Sequence, residues 1–460
     1  MKHLFHTFIA RALATVAIVA TLASCDYDEG VTLSALSVTV SYTGSHEGSL
    51  QGIVVEATSA TQAVYKATTD ANGTATIALP VGIYTLSANG YWDDGDYRFH
   101  YNGSRSQVTV ASGTNAAELS LGVSYENTNA DAARIVIKEL YNGGVMKDDG
   151  SKIFQFDKCV ILFNDGASDT TITNLCIGFS ADYNAQSNGT SKLYVDGKLV
   201  YEDEGFIPAM NGIWYFPAPI TIKAYSQLVI NCSGAIDNTL AVSNSVNYAD
   251  SSYYCMYDPE YYGGGGYYNN TNYYPSPSEV IPTSHYLKTI KYGQADAWPL
   301  SVTSPALFIF TIPADEYAHV ADYAENVDNL WYMPGYAATP VHACLKIPRT
   351  WIIDAIEVFA AQYPNQCMKR LTADVDGGYI YLTHKLGHTL YRNVDKERTE
   401  AMIENEGLLV YNYSLGYNGS TDPSGIDAEA SMANGAHIRF KDTNNASNDF
   451  HERTRCSLRK

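Results

Sequence analysis

The chain has 460 residues, with 29 Lys and Arg against 49 Asp and Glu, a net charge of −20. Such an excess of carboxylates repels phosphate backbones, and no local basic patch offsets it, so nucleic acid is excluded as a partner. Only 17% of residues are charged, 35 are Gly and 16 are Pro, a balance that suits β-rich extracellular architectures better than helical bundles. Tyr is the compositional outlier at 37 residues.

The N-terminus carries Lys2 and Arg11 and then an uncharged run from Ala12 to Ser24. That run is too short to span a bilayer, which takes about 20 residues, and reads as a signal peptide over residues 1–24. Its end, Leu22-Ala23-Ser24-Cys25, resembles the lipobox of bacterial lipoproteins. The resemblance implies lipidation of Cys25 as the mature N-terminus, and hence a membrane partner through that lipid. Residues 25–32 then form an acidic tether, whose Asp26-Tyr27-Asp28-Glu29 resembles the surface-export signal of Bacteroidota lipoproteins. The implied location is the outer membrane, lipid-anchored and facing the cell surface.

Residues 33–123 alternate in short strand-like runs. Asp70-Ala71-Asn72-Gly73 is a turn whose Gly can take positive φ. Ala75, Ile77 and Leu79 share one face, Pro80-Val81-Gly82 turns the chain, and Tyr84, Leu86 and Ala88 continue inward, which predicts a β-hairpin. Thr69, Asp70, Gly73, Leu79, Pro80, Gly82 and Tyr84 resemble the signature of the prealbumin-like (carboxypeptidase-regulatory-like) β-sandwich. That resemblance implies a fold and not a function.

Residues 124–133, SYENTNADAA, are polar and aperiodic and read as a linker. A second β pattern follows over 134–460. Its IKELYNGG, FNDGASDTTITNLCIG, WIIDAIEV and DTNNASNDF segments resemble a lamin-tail-like (Ig-like) sandwich of uncharacterised Bacteroidota surface lipoproteins, enlarged by long insertions. The expected fold class is therefore all-β: signal peptide, small sandwich, larger sandwich. Cys159, Cys176 and Cys232 lie in apolar strand-like runs and read as buried thiols.

Within the insertion at 253–281, nine of the 22 residues from Tyr253 to Tyr274 are Tyr, around a Gly263–Gly266 tract. Tyr261, Tyr262, Tyr267 and Tyr268 flank that tract and are the candidate stacking residues for a glycan or a protein surface. His384-Lys385-Leu386-Gly387-His388 spaces two histidines four apart, but Lys385 stands where a zinc protease needs Glu, and the segment reads as a strand. No Asp cluster has the full calcium-loop spacing, and there is no nucleophile elbow or phosphate-cradling glycine loop. No cofactor, metal site or catalytic residue is expected. The leading reading is a non-enzymatic binding or adhesion module. An accessory lipoprotein of a TonB-dependent outer-membrane receptor is the second, and a hydrolase built from distant residues the third.

Overall fold

The computed structural model describes residues 32–43, 48–129, 132, 134–187, 189–263, 275–293 and 300–459, without the side chains of residues 262 and 263. The fold is all-β, and its two parts are built on different burial patterns.

The first part has seven strands: β1 (Leu33–Tyr42), β2 (Val54–Ser59), β3 (Val64–Thr68), β4 (Thr74–Pro80), β5 (Gly82–Asp94), β6 (Tyr97–Val110) and β7 (Thr114–Asn127). Their order is β3-β2-β5-β6-β7-β1-β4, with β1 and β7 parallel and the other pairs antiparallel. Alternate residues face inward, so Leu36, Val38, Ile77, Leu79, Leu86 and Leu121 meet in one core. The Asp70–Gly73 turn forms as expected: Asp70 Oδ1 accepts from the Asn72 and Thr74 N–H groups, and Gly73 sits at φ 74°.

Two expectations are corrected. β4 and β5 do not pair as a hairpin; β4 lies on β1, while β5 lies between β2 and β6. Pro80 to Gly82 instead carries the chain from one side of the sandwich to the other, and the Tyr84 hydroxyl donates to the Pro80 carbonyl at 2.8 Å. Period-two alternation reports which face is buried, and both strands do bury the expected residues, but it does not report the pairing partner. The linker also begins later than expected. Residues 124–127 belong to β7 and pair with His100 to Tyr97 of β6.

The second part packs two six-stranded sheets face to face. One runs in the order Tyr254–Cys255, Ser226–Asn231, Cys159–Asn164, Ile135–Tyr141, Thr389–Arg392, Phe450–Arg453. The other runs Lys288–Lys291, Gly212–Tyr215, Leu175–Phe179, Ala306–Thr311, Ile352–Ala360, Ile380–Leu382. Ile137, Leu162, Ile177, Leu307, Ile356 and Leu390 fill the space between them. Insertions cover the outer faces as well. The segment around Val246 and Ile281 and the one from Val394 to Phe440 both cover the outer face of the first sheet. A three-stranded sheet of Phe206–Met210, Ala343–Pro348 and Leu330–Tyr332 covers the opposite side. Strands covered on both sides read as continuous apolar runs, which is why Cys159–Asn164 and Leu175–Phe179 are buried along their whole length. The seven cysteines 159, 176, 232, 255, 344, 367 and 456 are free thiols, and Cys159 and Cys176 are fully buried.

The two parts meet along one face of β6 and β7. Asn102 donates to the Thr443 carbonyl at 3.0 Å and accepts from Asn445 Nδ2 at 3.0 Å. Gly122 and Gly377 permit the approach: a Cβ at Gly122 would lie 2.5 Å from the Asp374 nitrogen, and one at Gly377 would lie 2.1 Å from Asn102 Cβ. Beside them Glu126 takes two hydrogen bonds from Arg398, at 2.9 and 3.1 Å, and lies 3.3 Å from His100 and 3.5 Å from Arg134. Burial opposes the Glu126 charge, but the hydrogen bond with His100 and the charges of Arg134 and Arg398 outweigh it, holding this carboxyl down at about 2.

Candidate functional site

β5 and β6 are longer than the strands that cover them. β2 pairs with β5 only from Tyr84 to Ser87, whereas β5 and β6 stay paired out to Asp94 and Tyr97. The inward-facing positions beyond the core are aromatic. Trp92 lies opposite Phe99, Gly90 opposite Tyr101, and Phe99 opposite Tyr125 of β7. The Trp92 and Phe99 rings are parallel within 7° at 5.2 Å, and Tyr101 also stacks on Trp92, at 6.3 Å and 24°. Tyr42, at the end of β1, packs on both Trp92 and Tyr101, at 5.3 and 6.0 Å. Tyr125 extends the row from Phe99 at 5.9 Å, and Tyr97 closes it at 5.8 Å from Tyr125. Six rings thus form one continuous strip.

Local geometry maintains the strip. A Cβ at Gly90 would fall 2.2 Å from the Tyr101 hydroxyl, so glycine is needed for Tyr101 to lie across β5. The two-residue turn Gly95–Asp96 places Gly95 at φ 60°, a conformation glycine adopts without cost. The strip's outer end is open to solvent: Tyr125 is 66% exposed and Tyr97 42%, with Trp92 and Phe99 half-buried. Exposed Asp93, Asp94 and Asp96 make the rim acidic, and Arg98 pairs with Asp93 at 2.7 Å while covering Tyr91 on the opposite face. Burial, and then the neighbouring Tyr101, push the Tyr42 hydroxyl up to about 12, and burial raises Tyr101. These hydroxyls stay protonated at neutral pH and serve as hydrogen-bonding groups rather than bases.

The residues singled out from the sequence fare differently. Cys25, Tyr267, Tyr268 and the Tyr262 side chain lie outside the described residues. Tyr261 sits in the short helix Pro259–Gly263 and packs against the main core, which buries part of its ring. The start of the Tyr-rich segment is not a free loop. Tyr254–Cys255 is a strand lying parallel to Ile230–Asn231, and the Tyr254 ring stacks on His285 at 4.0 Å. Residues 384–388 are a turn and not a strand, with Lys385 at φ 75° and Gly387 at φ 72°. His388 is buried with its Nδ1 2.8 Å from Glu452 Oε1, so it answers a buried carboxylate. Among the described residues no three His, Cys, Asp or Glu side chains gather as a metal site, and no helix is long and apolar enough to cross a membrane. Asp449 accepts from the Thr443 and Asn445 N–H groups and lies 3.9 Å from Arg392, which makes the Asp442–Asp449 stretch a structural knot.

Comparison with known proteins shows what parts of the chain are similar to. Residues 226–411, within the second sandwich, match the family described as protein of unknown function (DUF4876). A crystal structure of a DUF4876 family protein from Bacteroides thetaiotaomicron is similar at 16% identity and a TM-score of 0.49, covering 91% of this chain and 94% of that one. A DUF3823 family protein from Parabacteroides merdae is similar at 13% identity and a TM-score of 0.15, covering 42% of this chain and 81% of its own. Likenesses at this level carry no statement about activity. No curated protein matches the chain.

Proposed function

We propose that the protein is a non-enzymatic binding module, lipid-anchored through Cys25 on the outer membrane and facing outward, which holds a glycan or a protein surface on the aromatic strip. The supporting observation is the strip itself: six rings in contact, backed by Gly48 at Trp92 and Tyr42 and open to solvent at Tyr97 and Tyr125. Open aromatic surface promotes association and marks recognition sites. Flat rings with protonated hydroxyls suit the apolar faces of sugars and the backbone of a partner chain. The position fits a tethered protein. The chain enters β1 at Leu33, and Tyr42 joins the strip nine residues later, roughly 30 Å along an extended strand. The acidic rim favours neutral or basic partners.

The test uses the mature protein with Cys25→Ala on arrays of glycans and extracellular-matrix proteins. Tyr97→Ser with Tyr125→Ser should weaken binding more than tenfold, because each stacking ring removed costs about 1 kcal/mol or more, while the melting temperature changes little because both rings are exposed. Tyr261, Tyr262, Tyr267 and Tyr268, all changed to Ser, test the insertion as the competing surface. If the strip variant binds as the wild type does and the insertion variant does not, the site moves to the insertion. If neither variant changes binding, the aromatic reading fails.

A further inference from the structure

A cleft lies far from the strip in sequence, where the three-stranded sheet packs on the second sandwich. The segment after Leu175–Phe179, the junction between Phe206–Met210 and Gly212–Tyr215, and the chain from Met333 to Cys344 enclose about 280 Å³ there. Strand register gathers sulfur along one side of it. Cys344 of Ala343–Pro348 lies directly opposite Met210 of Phe206–Met210 and, on its other side, opposite Trp331 of Leu330–Tyr332. Directly opposed residues of an antiparallel pair share a face, with Cβ atoms about 4.5–5.5 Å apart. Met333 follows Trp331 by two residues and His342 precedes Cys344 by two, and both line the same cleft as Met210 and Cys344. A thiol, two thioethers and an imidazole therefore border one small space. Cys344 is 3% exposed and Met333 7%, and half-buried Met210 and His342 keep the space open to solvent.

The cleft also holds a buried negative charge. Asp182 lines it at 7% exposure, and its Oδ1 accepts the Tyr183 N–H at 2.7 Å. Among the described residues no basic side chain pairs with this carboxylate. Arg370 donates instead to the Asp182 main-chain carbonyl and has its charge met by Glu357, while Lys192 lies over the Tyr336 ring. A buried carboxylate without a counter-charge favours the entry of a cation.

The donors decide which cation. Calcium and magnesium take shells of oxygen ligands, and Asp182 is the one carboxylate lining the cleft among the described residues. Zinc takes His, Cys and carboxylate ligands, and among the described residues no three of these gather closely enough to hold it. Thiolate and thioether ligands together select Cu(I), and methionine side chains are flexible enough to close on an ion.

We propose that this cleft is a Cu(I) site, in which the Cys344 thiolate and the Met210 and Met333 thioethers bind the ion, His342 stands at the mouth and Asp182 balances the charge. On binding, a Cu–S bond forms as the Cys344 S–H bond breaks and its proton passes to solvent, so the charge of the cleft is unchanged. Copper enters and leaves as Cu(I), and no electron is transferred. The site uses no residue of the strip, so it stands or falls apart from the function proposed above.

The experiment titrates the reduced, mature Cys25→Ala chain with Cu(I) under anaerobic conditions against a chromophoric Cu(I) chelator, with Zn(II) and Ca(II) as competing ions. Cys232→Ala and Cys367→Ala are introduced throughout, because these two half-buried thiols lie outside the cleft. A single Cu(I) should be held against the chelator, with sulfur neighbours in its X-ray absorption spectrum, and neither Zn(II) nor Ca(II) should displace it. Met210→Leu with Met333→Leu conserves volume and should weaken Cu(I) binding at least about tenfold at an unchanged melting temperature. Cys344→Ala should abolish the site. Cu(I) binding that survives both variants, a preference for Zn(II) or Ca(II), or failure to hold Cu(I) against the chelator would each overturn the proposal.

Discussion

Glu126→Gln isolates the joint between the two sandwiches. The substitution keeps the shape of the side chain and removes the charge that His100, Arg134 and Arg398 share. An unperturbed glutamate titrates at 4.5, and Glu126 is held at about 2 despite burial. At 1.36 kcal/mol per pH unit that difference corresponds to roughly 3 kcal/mol favouring the charged, folded form. Arg398 is 24% exposed and so partly screened, which brings the expected loss to about 2 kcal/mol at pH 7. The sign of the pH dependence follows from the lowered value. The contribution is complete above about 4.5 and is lost as pH falls from there towards about 2. Urea unfolding of wild type and Glu126→Gln at a series of pH values should therefore give a gap that is widest at neutral pH and closes in acid. Hydrogen exchange across residues 97–127 should report the same loosening at the β6–β7 face. A gap that persists unchanged to pH 2, or one below ~0.5 kcal/mol at pH 7, would refute the idea that this carboxylate secures the joint.

Glu357→Leu should destabilise the second sandwich by about 3–5 kcal/mol. It leaves Arg370, fully buried and bonded to Glu357 Oε1 at 2.8 and 2.9 Å, without its counter-charge, and a large drop in the urea midpoint checks this. Cys25→Ala should move the protein from the membrane pellet to the soluble fraction; continued sedimentation after a high-salt wash would show another tether. The strip variant described above should act on binding with little change in the melting temperature.

The sequence by itself determined which residues face inward. Alternation marks Ala75, Ile77, Leu79, Tyr84, Leu86 and Ala88, all core residues in the structure, because a strand covered on one side must alternate. Unbroken apolar runs mark Cys159–Asn164 and Leu175–Phe179 as strands covered on both sides. The turn at Asp70–Gly73 was equally legible, since its hydrogen bonds close within five residues. The strip left a trace that was not read: in YWDDGDYRFHY the aromatics at 97, 99 and 101 alternate across the turn from Trp92. Its extension by Tyr42 and Tyr125 depends on β1 and β7 arriving beside that hairpin. Tertiary structure alone decided the rest. β4 and β5 are neighbours in sequence but lie on different partners, and Asp354 meets Arg392 across 38 residues. Alternation within a strand records only the boundary between core and solvent. Strand order, ion pairing and concave sites depend on which distant segments share that core, and local pattern does not encode that choice.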